Sequence, residues 1–177
     1  MSVVSSVIVN MDFIVIEGDI ASQRADALVA ASDTSLAMNG GTARALRDGG
    51  GEGIHEAAVE RAPVDPGDVI ITDSFNLPAE YVVHAAAKPA TGHATEETVR
   101  AATRNALQTA EDHNCRSIVL PLLGSGVGGL DTETVADTML NEINRFASPT
   151  LTDIRIIAYS ADDRFRVQER ADQPMNS

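Results

Sequence analysis

Short β-branched runs alternate with helix-spaced apolar patterns along the chain, and this alternation limits the fold more than any other feature. Apolar runs fall at residues 13–16, 27–31, 69–72, 81–86, 118–123 and 154–159, and a further run at 3–9 predicts an additional edge strand. Between them, residues 96–113 place Val99, Ala102, Ala106, Leu107 and Ala110 on one helical face. Residues 131–146 do the same with Val135, Met139, Leu140, Ile143 and Phe146. Thr95 before two glutamates and Asp131 before Thr-Glu-Thr predict N-caps, with acids near the positive helix end. Shorter helices are predicted at 42–47, 54–61 and 162–169, the second stopped before Pro63. The cluster Pro-Val-Asp-Pro-Gly-Asp at 63–68 predicts a turn that restarts a strand. With no internal repeat and no linker, the pattern predicts one α/β domain with helices on both sheet faces.

Composition narrows what such a domain can do. A chain of 177 residues buries a core without staples. The single cysteine, Cys115, excludes an internal disulfide and a cysteine-based zinc site. His55, His93 and His113 have no metal-ligand spacing, so no metal is expected; no resident cofactor is expected either. The apolar opening lacks a basic flank and is broken by Asn10 and Asp12, so it reads as strand rather than signal peptide or membrane span. A cytoplasmic protein without a membrane partner is the expectation. Net charge is −13, and twelve arginines stand against one lysine, Lys88. That balance suits concentrated salt, where screening removes self-repulsion, and predicts a salt-adapted, haloarchaeal-like host. It argues against duplex nucleic acid, which needs a basic surface. A small anion held by backbone N–H groups stays open, because it needs no lysine.

In folds of this class ligands bind outside the carboxyl ends of the strands, where loops feed helix N-termini. Three loops qualify: Glu-Gly-Asp-Ile-Ala-Ser at 17–22, the stretch 31–41 ending in Asn-Gly-Gly, and Gly-Ser-Gly-Val-Gly-Gly-Leu-Asp at 124–131. The last lacks the Gly-Lys-Ser/Thr of a phosphate-binding Walker loop. Gly124, Gly126 and Gly129 formally match a dinucleotide fingerprint, yet too little sequence follows for a dinucleotide fold, which sets an oxidoreductase aside. Two readings remain for the glycine clusters: structural turns, or two walls of one cleft for a diphosphate.

Taken together and in order, "EGDIAS", "DALVAASD", "MNGGTARAL", "VVHAAA" and "VLPLLGSGVGGLD" resemble the macrodomain, an ADP-ribose-binding module. The resemblance spans residues 11–165 and rests on several separated motifs rather than on any single one. It implies a three-layer α/β/α fold with a mixed, mostly parallel six- or seven-stranded sheet. Residues 1–170 would form this single domain, with 171–177 a disordered tail. ADP-ribose, free or attached to a protein, is the implied partner. In the family the acid of Gly-Asp-Ile accepts from the adenine amino group, which implies that role for Asp19, with Ile20 beside the base. An aromatic at the end of the last strand commonly covers the adenine, implying Tyr159, with Phe165 second. The diphosphate would lie between Gly40, Gly41 and Thr42 on one side and Gly124, Ser125, Gly126, Val127 and Gly128 on the other, with Ala31 in the same cleft. Gly128 replaces an aromatic that many relatives carry beside the distal ribose, which implies a more open cleft there.

The chain also departs from the family. Val-Asn-Ala-Ala-Asn reads Val29-Ala30-Ala31-Ser32-Asp33 here. The second asparagine normally contacts the distal ribose and, in hydrolases, helps to place water. Asp33 accepts hydrogen bonds but does not donate, and it is the one catalytic candidate, as a general base. The acid that follows Gly-Gly-Val in one hydrolase branch is Ala43 here. Another branch pairs a lysine with an aspartate after its glycine loop. Asp131 lies near that place but reads as an N-cap, and Lys88 falls outside the matching motif. His84 reads as a core histidine. The expected function is ADP-ribose binding by a macrodomain of the Appr-1-p processing type. The alternative is a hydrolase of ADP-ribosyl linkages, an O-acetyl-ADP-ribose deacetylase or an ADP-ribose-1''-phosphate processing enzyme, so enzyme status stays open here. The oligomeric state is not legible in the sequence.

Overall fold

The computed structural model describes residues 13–126 and 128–174. Six strands form one sheet: β1 (Phe13–Glu17), β2 (Ala27–Asp33), β3 (Val69–Asp73), β4 (Tyr81–Lys88), β5 (Ser117–Leu120) and β6 (Asp153–Ala158). Their order across the sheet is β1-β6-β5-β2-β4-β3, and every neighbouring pair is parallel except β3 with β4. Five α-helices connect them: α1 (Gly41–Gly50), α2 (Glu52–Val59), α3 (Glu96–Asp112), α4 (Thr132–Arg145) and α5 (Ala161–Asp172). The sheet is therefore mixed and mostly parallel, as expected. The strand predicted at 3–9 lies outside the described residues, as do 175–177 at the other end. Among the described residues no helix is long and apolar enough to cross a membrane.

Side-chain alternation explains the layers. In β2, Ala27 and Val29 point to a core shared with Val99 and Leu107 of α3 and Val135 and Met139 of α4. Leu28 and Ala30 point the other way, into a core with Leu46 of α1 and Ile54 of α2. Both faces are covered, which is why the central strands read as continuous apolar runs. Full burial of a leucine such as Leu107 stabilises by about 1.5–3 kcal/mol.

Some boundaries differ from expectation for local reasons. The run 118–123 ends as a strand at Leu120, because Pro121 has no N–H to give the ladder. Leu123 stays buried, its N–H 3.4 Å from Met139 Sδ. The last helix runs on to Asp172. Its start is capped by Ser160, whose Oγ accepts from Asp163 N at 3.1 Å, a cap not picked out from the sequence.

Connectivity makes two crevices at the carboxyl edge. β2 feeds α1 on one face while its neighbour β5 feeds α4 on the other. Likewise β1 feeds a short 3-10 turn, Ile20–Ser22, on the α1 side, while its neighbour β6 feeds α5 on the α4 side.

Candidate functional site

Ligands of open α/β sheets sit at such reversals of chain direction, so the carboxyl edge is where each candidate residue has to be placed. At the β1/β6 crevice, Gly18 N donates to Ala158 O at 3.2 Å, bringing the exits towards Asp19 and Tyr159 side by side. Asp19 is exposed, and its Oδ1 accepts from Ala21 N at 3.0 Å, which caps the 3-10 turn. The Ile20 side chain is buried among the α1-side core residues, so it anchors this turn from below. Tyr159 is 88% exposed, a ring with almost no protein against it, and Phe165 on α5 is 62% exposed.

The β2/β5 crevice carries both glycine clusters. Of the chain's thirteen glycines, Gly40, Gly41 and Gly126 are the ones with no atom of a described residue, chain neighbours aside, within 4 Å of the place a Cβ would take. The other glycines of the second cluster serve the loop itself. A Cβ on Gly124 (φ +79°) would stand 2.7 Å from Val99 Cγ2, and one on Gly129 would stand 2.1 Å from Gly124 O. The loop also closes on itself: Gly129 N donates to Gly126 O and Leu130 N to Gly124 O, both at 2.8 Å. Ser125 Oγ donates to Leu122 O at 3.0 Å. Val127 lies outside the described residues.

On the β2 side of the crevice, α1 starts on Gly40 with no side-chain cap, whereas α3, α4 and α5 are capped by Thr95, Asp131 and Ser160. An uncapped first turn offers backbone N–H groups at the positive end of the helix dipole. (α2, directly behind α1, also starts without a side-chain cap.) The hydroxyls of Ser32 and Thr42 are buried without a hydrogen-bond partner, which is uncommon for buried polar atoms. Between β2 and α1, Leu36 (φ +55°) and Met38 (φ +49°) hold left-handed backbone that costs about 1–3 kcal/mol each. Their side chains are buried, which fixes the loop from inside. Arg47 fixes it from outside: paired with Glu52 through Nε–Oε1 at 2.9 Å and Nη2–Oε2 at 2.8 Å, it reaches Ala37 O and Asn39 Oδ1 at 3.4 Å each. The hydrogen bond from Arg47 holds the Glu52 carboxyl below its ordinary value.

At the end of β2 a register shift between Ser32 and Asp33 sets Asp33 opposite Lys88. Asp33 Oδ1 accepts from Ser35 N at 2.8 Å and from Ser35 Oγ at 2.5 Å, so the half-buried carboxylate has a fixed direction. Ala31, just before it, is half-buried. Ala43 is buried in the α1-side core and offers no polar atom to aim a water. Asp131 is the N-cap of α4, accepting from Thr134 N at 3.1 Å and Thr134 Oγ1 at 2.7 Å, and these bonds lower its carboxyl from the ordinary value. His84 is a buried core residue, with Nε2 2.8 Å from Thr72 Oγ1. Burial, helped by the Arg61 charge, pushes its imidazole down to about 4, so it is neutral near pH 7. Burial likewise pushes the Cys115 thiol up to about 11, which leaves it without thiolate character. Sequence reasoning missed Arg47 and the segment 89–94, which is hydrogen-bonded both to Thr34 after β2 and to Gly128 after β5.

Comparison with known proteins identifies the family and agrees with the fold. The Macro domain family matches residues 29–139. The chain belongs to the macrodomain family. An uncharacterized Aquifex aeolicus protein is 35% identical over 149 residues, covering 83% of this chain and 90% of the relative. An uncharacterized Mycobacterium tuberculosis protein is 34% identical over 73% of this chain, which spans only 36% of that relative's length. Among solved structures, a mutant of the Oceanobacillus iheyensis macrodomain with ADPR superposes with a TM-score of 0.81 at 25% identity, covering 93% of this chain and 94% of the other.

Proposed function

We propose that this macrodomain binds ADP-ribose, free or protein-linked, in the cleft at the carboxyl edge of its sheet. The observation that carries the reading is the set of three open glycines. Gly40, Gly41 and Gly126 lack a side chain where the protein itself leaves room for one, and they stand on the two loops that flank the β2/β5 crevice. Close backbone approach to a diphosphate supplies the reason at Gly40 and Gly126, while Gly41 (φ +56°) is also required by its left-handed backbone. An acidic chain suits this mode, because backbone dipoles hold the anion without lysine. Asp19 accepts from the adenine amine, where guanine would present a carbonyl. Tyr159 covers the base, a contact worth ~1–3 kcal/mol. Thr42 and Ser32 hydroxyls find partners in the bound ligand or its waters, and Asp33 takes the distal ribose hydroxyls. The ADPR held by the Oceanobacillus iheyensis relative supports the same choice.

Calorimetric titration with ADP-ribose, AMP and NAD in molar potassium chloride tests the proposal. ADP-ribose is expected to bind tightest with one site per chain, and an absence of ADP-ribose binding refutes it. One observation favours a second reading, hydrolysis of an ADP-ribosyl linkage: the fixed direction of the Asp33 carboxylate, which a general base requires. Buried Ala43 argues the other way. ADP-ribosylated protein left intact by the wild-type chain excludes hydrolysis. Release that disappears on Asp33→Ala, with ADP-ribose binding retained, would establish it.

A further inference from the structure

Residues 89–94, between β4 and α3, are joined to both walls of the cleft. Thr34, the residue after Asp33, donates its N–H to Lys88 O at 3.1 Å and accepts from Ala90 N on Oγ1 at 2.9 Å. That fastens one end of the segment to the β2 side. At the other end, Ala94 is buried where a Cβ on Gly124 would come within 3.0 Å of it. One side chain completes the connection: His93 Nδ1 lies 3.0 Å from Gly128 O. A carbonyl oxygen only accepts, so Nδ1 carries the proton.

The bond acts on a well-defined unit. Gly128 C=O and Gly129 N–H belong to the same planar peptide. His93 holds the oxygen on one side, and Gly126 O accepts from the nitrogen at 2.8 Å on the other. Hydrogen bonds at both ends oppose a flip of this peptide plane, and Gly126, the open glycine of this wall, is bonded to that plane directly. The ring sits against Gly128, where a Cβ would approach Nδ1 to 3.3 Å, so residue 128 gives it little room for a side chain. His93 itself is exposed and contributes nothing to either core.

We infer that His93 is a positioning residue for the phosphate-facing loop, setting through Gly128 the geometry in which Gly126 meets the diphosphate. The inference rests on the ADP-ribose reading above. Because it acts through one Nδ1–H donor, the choice of replacement decides the outcome. An asparagine amide nitrogen takes the place of Nδ1, whereas a glutamine amide reaches one bond further.

The test measures ADP-ribose and adenosine affinity for wild type, His93→Ala, His93→Asn and His93→Gln in the full chain. Adenosine has no phosphate and serves as the control. Loss of the bond is expected to raise the ADP-ribose Kd about threefold to tenfold in the alanine and glutamine variants. The asparagine variant should stay within about twofold of wild type, and adenosine affinity should be unchanged throughout. Nitrogen NMR of the free wild-type protein should show a proton on His93 Nδ1. Wild-type binding with an alanine variant that binds equally well overturns the inference and leaves the ADP-ribose reading standing. Equal rescue by asparagine and glutamine, or a parallel loss of adenosine binding, also overturns it. No ADP-ribose binding by wild type removes the functional reading itself.

Discussion

Of the two walls of the proposed cleft, one is a helix that begins bare and the other a loop that bonds to itself. α1 opens on Gly40 in extended backbone (φ −152°) with no side-chain cap and with empty space beside Gly40 and Gly41. The second loop instead turns the N–H groups of Gly129 and Leu130 inward and fits Gly124 and Gly129 tightly against Val99 and against each other. The helix that follows is already capped by Asp131. Both walls carry glycines, two at 40–41 and four at 124–129, but the reasons differ. On the proposed reading, a ligand-facing glycine such as Gly40 or Gly126 differs from a packing one in having no protein atom in the space of the missing Cβ and no left-handed φ to explain it.

Substitution within the second wall puts this difference to its hardest test. Gly126 is not in left-handed backbone and has open space, so Gly126→Val should leave the melting temperature unchanged while cutting ADP-ribose affinity more than about 100-fold. Gly129→Ala should do the reverse, lowering stability by about 1–3 kcal/mol as its Cβ meets Gly124 O. If melting curves and titrations show the two effects exchanged, the distinction between the glycines is wrong.

A smaller effect is expected at the adenine end, where neither wall's glycines act. Asp19→Ala should weaken ADP-ribose by roughly 1–3 kcal/mol, the loss of a charge-assisted hydrogen bond. GDP-ribose should bind the wild type more weakly than ADP-ribose by competition titration. Equal affinity for the two would remove Asp19 as the adenine reader.

On the bare wall, Thr42→Val keeps the shape and deletes the buried, unpartnered hydroxyl. With a ligand partner for that hydroxyl, affinity should fall by about 0.5–1.5 kcal/mol without loss of stability. Unchanged affinity together with a higher melting temperature would show that the hydroxyl serves no ligand.

Salt gives the smallest expected change at the walls and acts mainly on the remaining surface. We propose that the net charge of −13 reflects a salt-adapted host. The melting temperature should then rise from dilute buffer to multi-molar potassium chloride as self-repulsion is screened, with ADP-ribose still bound at the high end. A melting temperature that is flat or falling would withdraw that proposal.

Much of the fold was legible because long elements carry strong periodicity. The faces of α3 and α4, and the N-caps Thr95 and Asp131, follow from residue spacing and from side chains that bond within three residues. The carboxyl-edge loops were legible because strand–glycine–helix sequences are local. What could not be read depends on contacts distant in sequence. His93 bonds a backbone oxygen 35 residues away and belongs to no apolar pattern. Arg47 looks like any helix arginine until the Glu52 pair and the 37–39 loop are seen together. Leu36 and Met38 are residues that disfavour left-handed backbone, and only their burial explains why they adopt it. The end of β5 was misplaced because Leu122 and Leu123 continue the apolar run past Pro121.

The central claim is that ADP-ribose lies between these two walls, and an amide NMR titration with ADP-ribose tests binding and place together. Saturable shifts are expected to concentrate at the N–H groups of Gly41, Thr42, Ser125 and Gly126, with a second group around Asp19 and Tyr159, while amides of β3 and α2 stay still. Shifts centred elsewhere, or none at saturating ADP-ribose, would contradict it.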